Sequence, residues 1–231
     1  MQSKIIIALD FPKAELALAF AEKLDPTLCK LKIGLEMYTA FGQSLVKQLM
    51  TMGFDIFLDL KFHDIPNTVG AACAKAAELG VWMTNVHALG GLAMMQAAKK
   101  AVEGSPIFLT AVTILTSHHA DDLQQIGIQR ALLDQIQVLT QLAIQAELHG
   151  IVCSAQEVKE LGKRLHLPAP FLFITPGIRP VWSKTNDQQR IVTPAQAQAN
   201  GAQYLVIGRP ITRASQPQQA LNTILSELAK L

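Results

Sequence analysis

Short apolar runs rich in β-branched residues alternate along the whole chain with longer segments of helical period, and this alternation limits the possible folds more than any other feature. The pattern is typical of repeated βα units built around a parallel sheet. About eight runs can be counted, and several are apolar enough for strands buried on both faces. They are KIIIAL before Asp10, CKLKI before Gly34, DIFLDL around Asp59, MTNVH ending at His87, IFLTAVT ending at Thr113, GIVC ending at Cys153, FLFI ending at Ile174 and YLVI ending at Ile207.

The segments between the runs predict amphipathic helices that cover the sheet. In the first segment Leu16, Phe20 and Leu24 recur at four-residue steps, a spacing that places apolar side chains on one helix face. The last predicted helix, at about residues 216–230, closes an outer ring. No Gly/Ser-rich or Pro-rich linker divides the sequence, so we expect residues 1–231 to form one domain.

A closed (β/α)8 barrel, the TIM barrel, is the predicted α/β architecture. About eight βα units in a chain of 231 residues fit this fold, because such barrels usually have about 250 residues. An open doubly wound sheet is the alternative. However, Asp10, Phe11 and Pro12 stand where a dinucleotide-binding sheet carries Gly-x-Gly-x-x-Gly. We therefore expect the chemistry at the C-terminal ends of barrel strands.

Composition narrows the class of partner. The 20 basic and 18 acidic side chains leave a net charge of +2, which provides no broad basic face for nucleic acid and favours a small-molecule partner. The first apolar run, Ile5–Leu9, is shorter than the apolar part of a secretory signal, and Lys, Asp or Gln interrupts every candidate membrane span. We therefore expect a cytoplasmic protein that binds neither nucleic acid nor membranes.

The cysteines and histidines do not indicate a metal site. Cys29, Cys73 and Cys153 lie far apart and form no Cys-x-x-Cys pair, so buried free thiols are expected. His118 and His119 are adjacent, but no carboxylate lies at ligand spacing beside them. Because adjacent loop residues rarely converge on one metal, no metal is assigned.

Charged residues concentrate on or just after the first three predicted strands, where a barrel carries its active site. They are Asp10, Lys32, Asp59, Lys61 and Asp64. Strand alternation sends Asp59 and Lys61 to one face, and Lys32 on the adjacent strand can join them. A salt-bridged plug without chemistry is the alternative, but buried ion pairs are costly to desolvate, so a cluster of this size favours a functional role.

Lys61 is flanked by two carboxylates, which favour its charged form, so we expect it to stay protonated at neutral pH. A protonated lysine cannot attack a carbonyl, which argues against a Schiff-base role. It can instead donate a proton or stabilise a carbanion. The charged centre therefore suits a reaction that forms a carbanion.

Two stretches after the seventh and eighth predicted strands have the residues of an anion site. They are Thr175–Arg179 (TPGIR) and Ile207–Arg209 (IGR). Barrels often bind phosphate at these loops, and backbone N–H groups near Gly208 with the guanidinium of Arg209 suit a phosphate dianion. Taken alone, each glycine could equally be a turn residue. The polar segment 180–190 is long enough to act as a lid.

Taken together, these motifs resemble the orotidine 5′-phosphate decarboxylase family. The resemblance spans nearly the whole chain, and the order and spacing of the motifs make it highly specific. The matching segments are ALD, KIG, DLKFHDIPNT, NVHA, VTILTS, TPGIR, DQQRIVTP and IGRPI. It implies conversion of orotidine 5′-phosphate to uridine 5′-phosphate and CO2 in pyrimidine biosynthesis, with neither metal nor organic cofactor.

The resemblance also implies a role for each matching residue. Lys61 would protonate C6 of the pyrimidine within an alternating charge network with Lys32, Asp59 and Asp64. The family works as a homodimer, so Asp64 and Thr68 would be contributed across the interface. Further substrate contacts would come from Asp10, Lys32 and Thr68 at the ribose, Asp59 near the substrate carboxylate, Thr116 and Ser117 at the base, Gln188, Gly208 and Arg209 at the phosphate, and Arg179 in support of the phosphate site.

Two other functions are compatible with parts of the pattern. A sugar-phosphate decarboxylase of the same superfamily, such as one acting on 3-keto-gulonate 6-phosphate, shares the Asp-x-Lys-x-x-Asp core but uses magnesium. The Ile-Pro-Asn-Thr continuation after Asp64 and the TPGIR and DQQR segments favour the nucleotide substrate instead. A catalytically silent barrel that binds a nucleotide is the other alternative, against which the intact Lys61 argues.

Overall fold

Eight parallel strands close into a barrel in chain order, with β8 paired to β1. The computed structural model describes residues 3–183 and 192–230. The strands are β1 (Ile5–Leu9), β2 (Lys30–Gly34), β3 (Ile56–Phe62), β4 (Met83–His87), β5 (Phe108–Val112), β6 (Gly150–Val152), β7 (Leu172–Thr175) and β8 (Tyr204–Ile207). The predicted (β/α)8 barrel is therefore confirmed, and the open doubly wound alternative is wrong.

Helices connect the strands and form the outer layer. They are α1 (Ala14–Ala21), α2 (Leu35–Thr51), α3 (Pro66–Leu79), α4 (Gly91–Ala101), α5 (Ala120–Gln125), α6 (Leu132–Gln145), α7 (Ala155–Arg164), α8 (Pro194–Ala199), α9 (Arg209–Thr212) and α10 (Pro217–Leu228). Proline opens α3, α8 and α10, where its missing N–H has no helical acceptor to lose. Within the described part of the chain, no helix combines the length and apolar character needed to cross a bilayer.

The predicted strand runs agree closely with the structure, whereas the first predicted helix face is partly wrong. The runs MTNVH and YLVI coincide with β4 and β8. In α1, however, Leu16 is 49% exposed, and the helix buries Ala17, Phe20 and Ala21 instead. Steps of four residues advance about 40° beyond a full turn, so a strict four-residue stripe drifts off the buried face. Leu24 is buried, but it lies beyond the end of α1.

Two apolar cores stabilise the barrel. The larger one lies between the sheet and the surrounding helices, and it contains Cys29, Cys73 and Cys153 as buried free thiols. Burial raises the pKa of each thiol, so these cysteines are predominantly neutral structural residues. The second core fills the barrel interior, and its buried members are Ile6, Ala8, Phe57, Met83, Val112, Val152, Ile174, Tyr204 and Val206.

Strand β3 contains an irregularity that shapes the site. Leu58 pairs with Thr84 of β4, but the next pair is Phe62 with Val86, so three residues of β3 lie opposite the single residue Asn85. Extra residues in one strand locally disrupt the ladder and re-aim side chains. Lys61 lies in this bulge with φ of +51°, a left-handed conformation that is uncommon for a residue other than glycine.

An ion pair lies at the N-terminal ends of β2 and β3. Lys30, the first residue of β2, is 5% exposed, and its Nζ lies 2.5 Å from Oδ2 of Asp55, just before β3. The same Nζ lies 4.4 Å from the ring centroid of Trp82, within cation–π range. Lys32, two residues further along β2, forms its ion pair with Asp59 of β3 instead. The two lysines of this strand therefore form ion pairs at different ends of the barrel.

Candidate active site

A cavity of about 670 Å³ opens at the C-terminal ends of the strands, within the range of about 300–1,000 Å³ usual for small-molecule sites. Its floor is apolar, because Ala8, Phe57, Val112, Val152 and Val206 line it while also belonging to the interior core. The charged residues of its wall are Asp10, Lys32, Asp59, Lys61, Arg179, Arg209 and Arg213. Charge therefore surrounds the mouth of the cavity above an apolar base.

Asp59 lies between two lysines in this cavity. Its Oδ1 lies 2.7 Å from Nζ of Lys61, and its Oδ2 lies 3.1 Å from Nζ of Lys32. Burial alone would raise the pKa of the Asp59 carboxyl. The charges of Lys32 and Lys61, with hydrogen bonds from Lys61 and Asn85, outweigh burial and lower that pKa to about 2. Asp59 is therefore ionised at neutral pH.

Asn85 contacts this cluster although sequence reasoning assigned it no role. It is 0% exposed; its Nδ2 donates to Oδ1 of Asp59, and its Oδ1 accepts from the backbone N–H of Lys61, each at 2.8 Å. Strand alternation could have indicated that Asn85 points into the barrel, because it shares a face of β4 with Met83, a member of the interior core. The bulge that brings Lys61 to Asn85 has no comparable signature in the sequence.

The loops after β7 and β8 bring the expected anion-binding residues to the other side of the cavity. Gly177, Arg179, Gly208 and Arg209 all line it. Gly177 has φ of +81°, a conformation that glycine adopts without strain. Arg179 is buried, its Nη1 donates to the carbonyl of Ile178 at 3.1 Å, and its backbone N–H donates to the carbonyl of Val192. The structure thus places the two predicted anion loops together.

Other predicted residues fall into three groups. Asp10 and Thr116 line the cavity. Asp64, Thr68 and Ser117 are exposed and do not line it; Oδ1 of Asp64 accepts from the N–H of Ile65 at 2.6 Å. Gln188, together with most of the predicted lid segment, lies outside the described residues.

Three histidines lie near Lys61 without joining the carboxylate cluster. The rings of His63 and His87 stack with centroids 5.5 Å apart, and Nδ1 of His87 accepts from the N–H of Leu89. Burial, then the charges of His63, Lys61 and His118, lower the pKa of His87 to about 4. His87 is therefore neutral at physiological pH. Within residues 3–183 and 192–230, no three His, Cys, Asp or Glu side chains are placed to hold a metal ion.

Together, the parallel barrel, the cation–carboxylate cluster and the nearby anion loops define a barrel enzyme whose site lies at the C-terminal ends of its strands. The model of the orotidine 5′-phosphate decarboxylase / HUMPS family matches residues 3–224. The chain therefore belongs to this family, and it is an enzyme of the carboxy-lyase class.

Individual relatives agree over nearly their whole length. Orotidine 5′-phosphate decarboxylase of Dichelobacter nodosus is 56% identical, over 98% of this chain and 99% of that protein. The enzyme of the same name from Nitrosococcus oceani is 53% identical, over 100% of this chain and 99% of that protein. The crystal structure of orotidine 5′-phosphate decarboxylase from Lactobacillus acidophilus superimposes with a TM-score of 0.86 at 35% identity, covering 99% of each chain.

Proposed function

We propose that this chain decarboxylates orotidine 5′-phosphate to uridine 5′-phosphate and CO2 in pyrimidine biosynthesis in the cytoplasm, without a cofactor. The observation that carries the proposal is the position of Lys61, whose Nζ is 2.7 Å from the ionised Asp59 in a cavity that also contains Arg209. The names of relatives more than 50% identical to the chain support the choice of substrate.

Lys61 acts as the proton donor in this mechanism. When the bond between C6 and the carboxylate breaks, CO2 leaves and the electron pair stays on C6. A preorganised cation stabilises that charge in a site from which water is excluded. Lys61 then transfers one proton from Nζ to C6, which forms uridine 5′-phosphate, and recovers a proton from solvent. Asp59 holds the ammonium group of Lys61 in place through the contact of 2.7 Å between Oδ1 and Nζ.

The rest of the cavity binds the substrate. By resemblance to the family, Asp10 and Lys32 bind the ribose hydroxyls, while Thr116 and Ser117 contact the base. Asp10, Lys32 and Thr116 line the cavity, which supports these assignments, whereas Ser117 lies outside its wall. Each hydroxyl or amide contact fixes the pyrimidine ring relative to Lys61, and such orientation lowers the barrier of the chemical step.

The phosphate group binds at the loops after β7 and β8. Arg209 pairs with the dianion through its guanidinium group, the backbone N–H groups near Gly208 donate to it, and Arg179 supports this arrangement. All three residues line the cavity. Binding energy from a phosphate far from C6 can be used to orient the reacting carbon.

A homodimer completes the site. Asp64 and Thr68 would come from the partner subunit, with Asp64 extending the charge network and Thr68 contacting the ribose. Both residues are exposed in a single chain, and the neighbouring Ile65 has a side chain that is 66% exposed. This stretch of the chain is therefore accessible to a second subunit.

The direct test is turnover of purified protein with orotidine 5′-phosphate in the presence of a chelator. We expect stoichiometric uridine 5′-phosphate and CO2, with no change when the chelator is omitted. A protein that binds the nucleotide without turning it over would contradict the proposal. Activity that the chelator abolishes would instead favour a metal-dependent sugar-phosphate decarboxylase.

A further inference from the structure

Asn85 bridges two parts of the bulged strand that would otherwise be held separately. Its amide contacts the Asp59 carboxylate on one side and the Lys61 backbone on the other, at 2.8 Å each. Lys61 Nζ returns to the same Oδ1 of Asp59 at 2.7 Å. The three residues therefore form a closed ring of hydrogen bonds that contains both the side chain and the backbone of Lys61.

The orientation of the Asn85 amide follows from its two partners. An ionised carboxylate only accepts hydrogen bonds and a backbone N–H only donates one. Nδ2 must therefore face Asp59, and Oδ1 must face Lys61. Asparagine satisfies both partners at once, whereas a leucine of nearly the same shape would satisfy neither.

The backbone of Lys61 needs such a partner because the bulge removes its normal one. Between the pairs Leu58–Thr84 and Phe62–Val86 the β3–β4 ladder is interrupted, so the Asn85 side chain takes the place of a strand carbonyl. Lys61 also holds φ of +51°, a conformation that costs about 1–3 kcal/mol unless its surroundings enforce it. The hydrogen bond from Lys61 N–H to Asn85 is one interaction that enforces it.

We propose that Asn85 is a positioning residue, which holds the Lys61 backbone and the Asp59 carboxylate in the arrangement that aims the lysine ammonium into the cavity. The inference rests on the proposed decarboxylase function for its kinetic consequence. Asn85 does not line the cavity, so it acts through Lys61 and Asp59 and not on the substrate.

The test compares three variants by steady-state kinetics and by crystal structure. Asn85→Ala removes both hydrogen bonds, and Asn85→Leu also removes both while nearly keeping the shape of the side chain. Thr84→Val is the matched control, because Thr84 is an equally buried neighbour on β4 whose Oγ1 donates to the carbonyl of Leu58 at 3.0 Å. The control loses a hydrogen bond between the same strands without contacting Asp59 or Lys61.

We expect kcat to fall by about 100-fold in Asn85→Ala, as for a catalytic group displaced by about 1 Å, while KM changes far less. Asn85→Leu should lose at least as much kcat as Asn85→Ala, and Thr84→Val should retain wild-type kcat. In the crystal structures of both Asn85 variants, Lys61 should leave its left-handed φ, or its Nζ should move out of hydrogen-bonding range of Asp59. Neither change should occur in Thr84→Val.

The kinetic measurements could overturn the inference in two ways. Wild-type kcat in Asn85→Leu would show that the side chain only fills space, and losses in Thr84→Val equal to those in Asn85→Ala would show that any hydrogen bond between these strands has the same effect. If the wild-type protein fails to decarboxylate orotidine 5′-phosphate, the proposed function falls, and the crystal structures alone decide the positioning role. An unmoved Lys61 in Asn85→Ala would then exclude that role.

Discussion

Lys61 Nζ lies 2.7 Å from Oδ1 of Asp59, two residues earlier on the same strand. The other oxygen of Asp59 is held by Lys32 at 3.1 Å, so the carboxylate keeps one cation when the other is removed. A loss of Lys61 therefore leaves Asp59 paired and removes the proton donor in isolation. This relationship makes Lys61 a clean target for testing the mechanism.

Lys61→Ala should lower kcat by at least about 10³-fold, because it removes both a general acid and a charge that stabilises the transition state. The measurement is steady-state decarboxylation of orotidine 5′-phosphate. Lys30→Ala is the matched control, since Lys30 also forms an ion pair from within the barrel but at the other end. The Lys30→Ala variant should be less stable than the wild type but should keep the wild-type kcat. A wild-type kcat in Lys61→Ala would refute the mechanism.

Arg209→Ala should raise KM by roughly ten- to a hundredfold, because one charge-assisted contact contributes about 1.5–3 kcal/mol. The same variant should match wild type when the substrate is the nucleoside orotidine, which has no phosphate. The ratio of kcat/KM for the two substrates, compared between the variant and the wild type, measures how much Arg209 contributes to phosphate binding. Arg164→Ala on the exposed surface of α7 serves as the control. An equal loss with both substrates would remove Arg209 from the phosphate site.

Mixing inactive Asp64→Ala and Lys61→Ala proteins should restore about one quarter of wild-type activity. In a dimer with shared sites, half of the subunit pairs are mixed, and each mixed pair has one complete site of two. The assay follows activity after subunit exchange. A mixture of Asp59→Ala and Lys61→Ala should stay inactive, because both residues belong to the same strand. If subunits exchange without recovery in the first mixture, Asp64 does not act across the interface.

The stability of the protein should fall on acidification because of His87. Its folded pKa of about 4 lies below the value of about 6.5 in an unfolded chain. The unfolded state therefore binds more protons than the folded state between these two values. The free energy of unfolding should decrease as the pH falls from about 6.5 to about 4, and His87 should cause no further decrease below about pH 4. Denaturant unfolding at several pH values measures the slope.

His87→Asn should make this acid-side slope shallower, since the neutral amide does not titrate. The exposed His166 provides the control, and His166→Asn should leave the slope unchanged. An unaltered slope in His87→Asn would mean that His87 is not held neutral by its surroundings.

The architecture was predictable from sequence because burial on both faces makes barrel strands nearly continuous apolar runs. The run YLVI and strand β8 coincide for this reason. Leu16 was predicted to lie on the buried face but is exposed, because a strict four-residue stripe drifts off the buried face of a helix. The strands were therefore predicted better than the buried face of this helix.

The site was predictable only in part. Alternation placed Asp59 and Lys61 on one face, and the structure brings them together. The role of Asn85 depends on the register between β3 and β4, which no single strand encodes. Asp64 presents a different difficulty, because it is exposed in a single chain and its proposed place in the charge network depends on a second subunit.

The floor of the cavity is shared with the interior core, and this sharing limits how the family can diversify. A larger side chain at Val152 or Val206 would fill space that the ligand needs, while a smaller one would leave a void and destabilise the barrel. A substitution at either position therefore changes both the space available to the ligand and the stability of the barrel. New substrate preferences are accessible mainly through the loops at the rim, which can change length and charge without altering the packing beneath them.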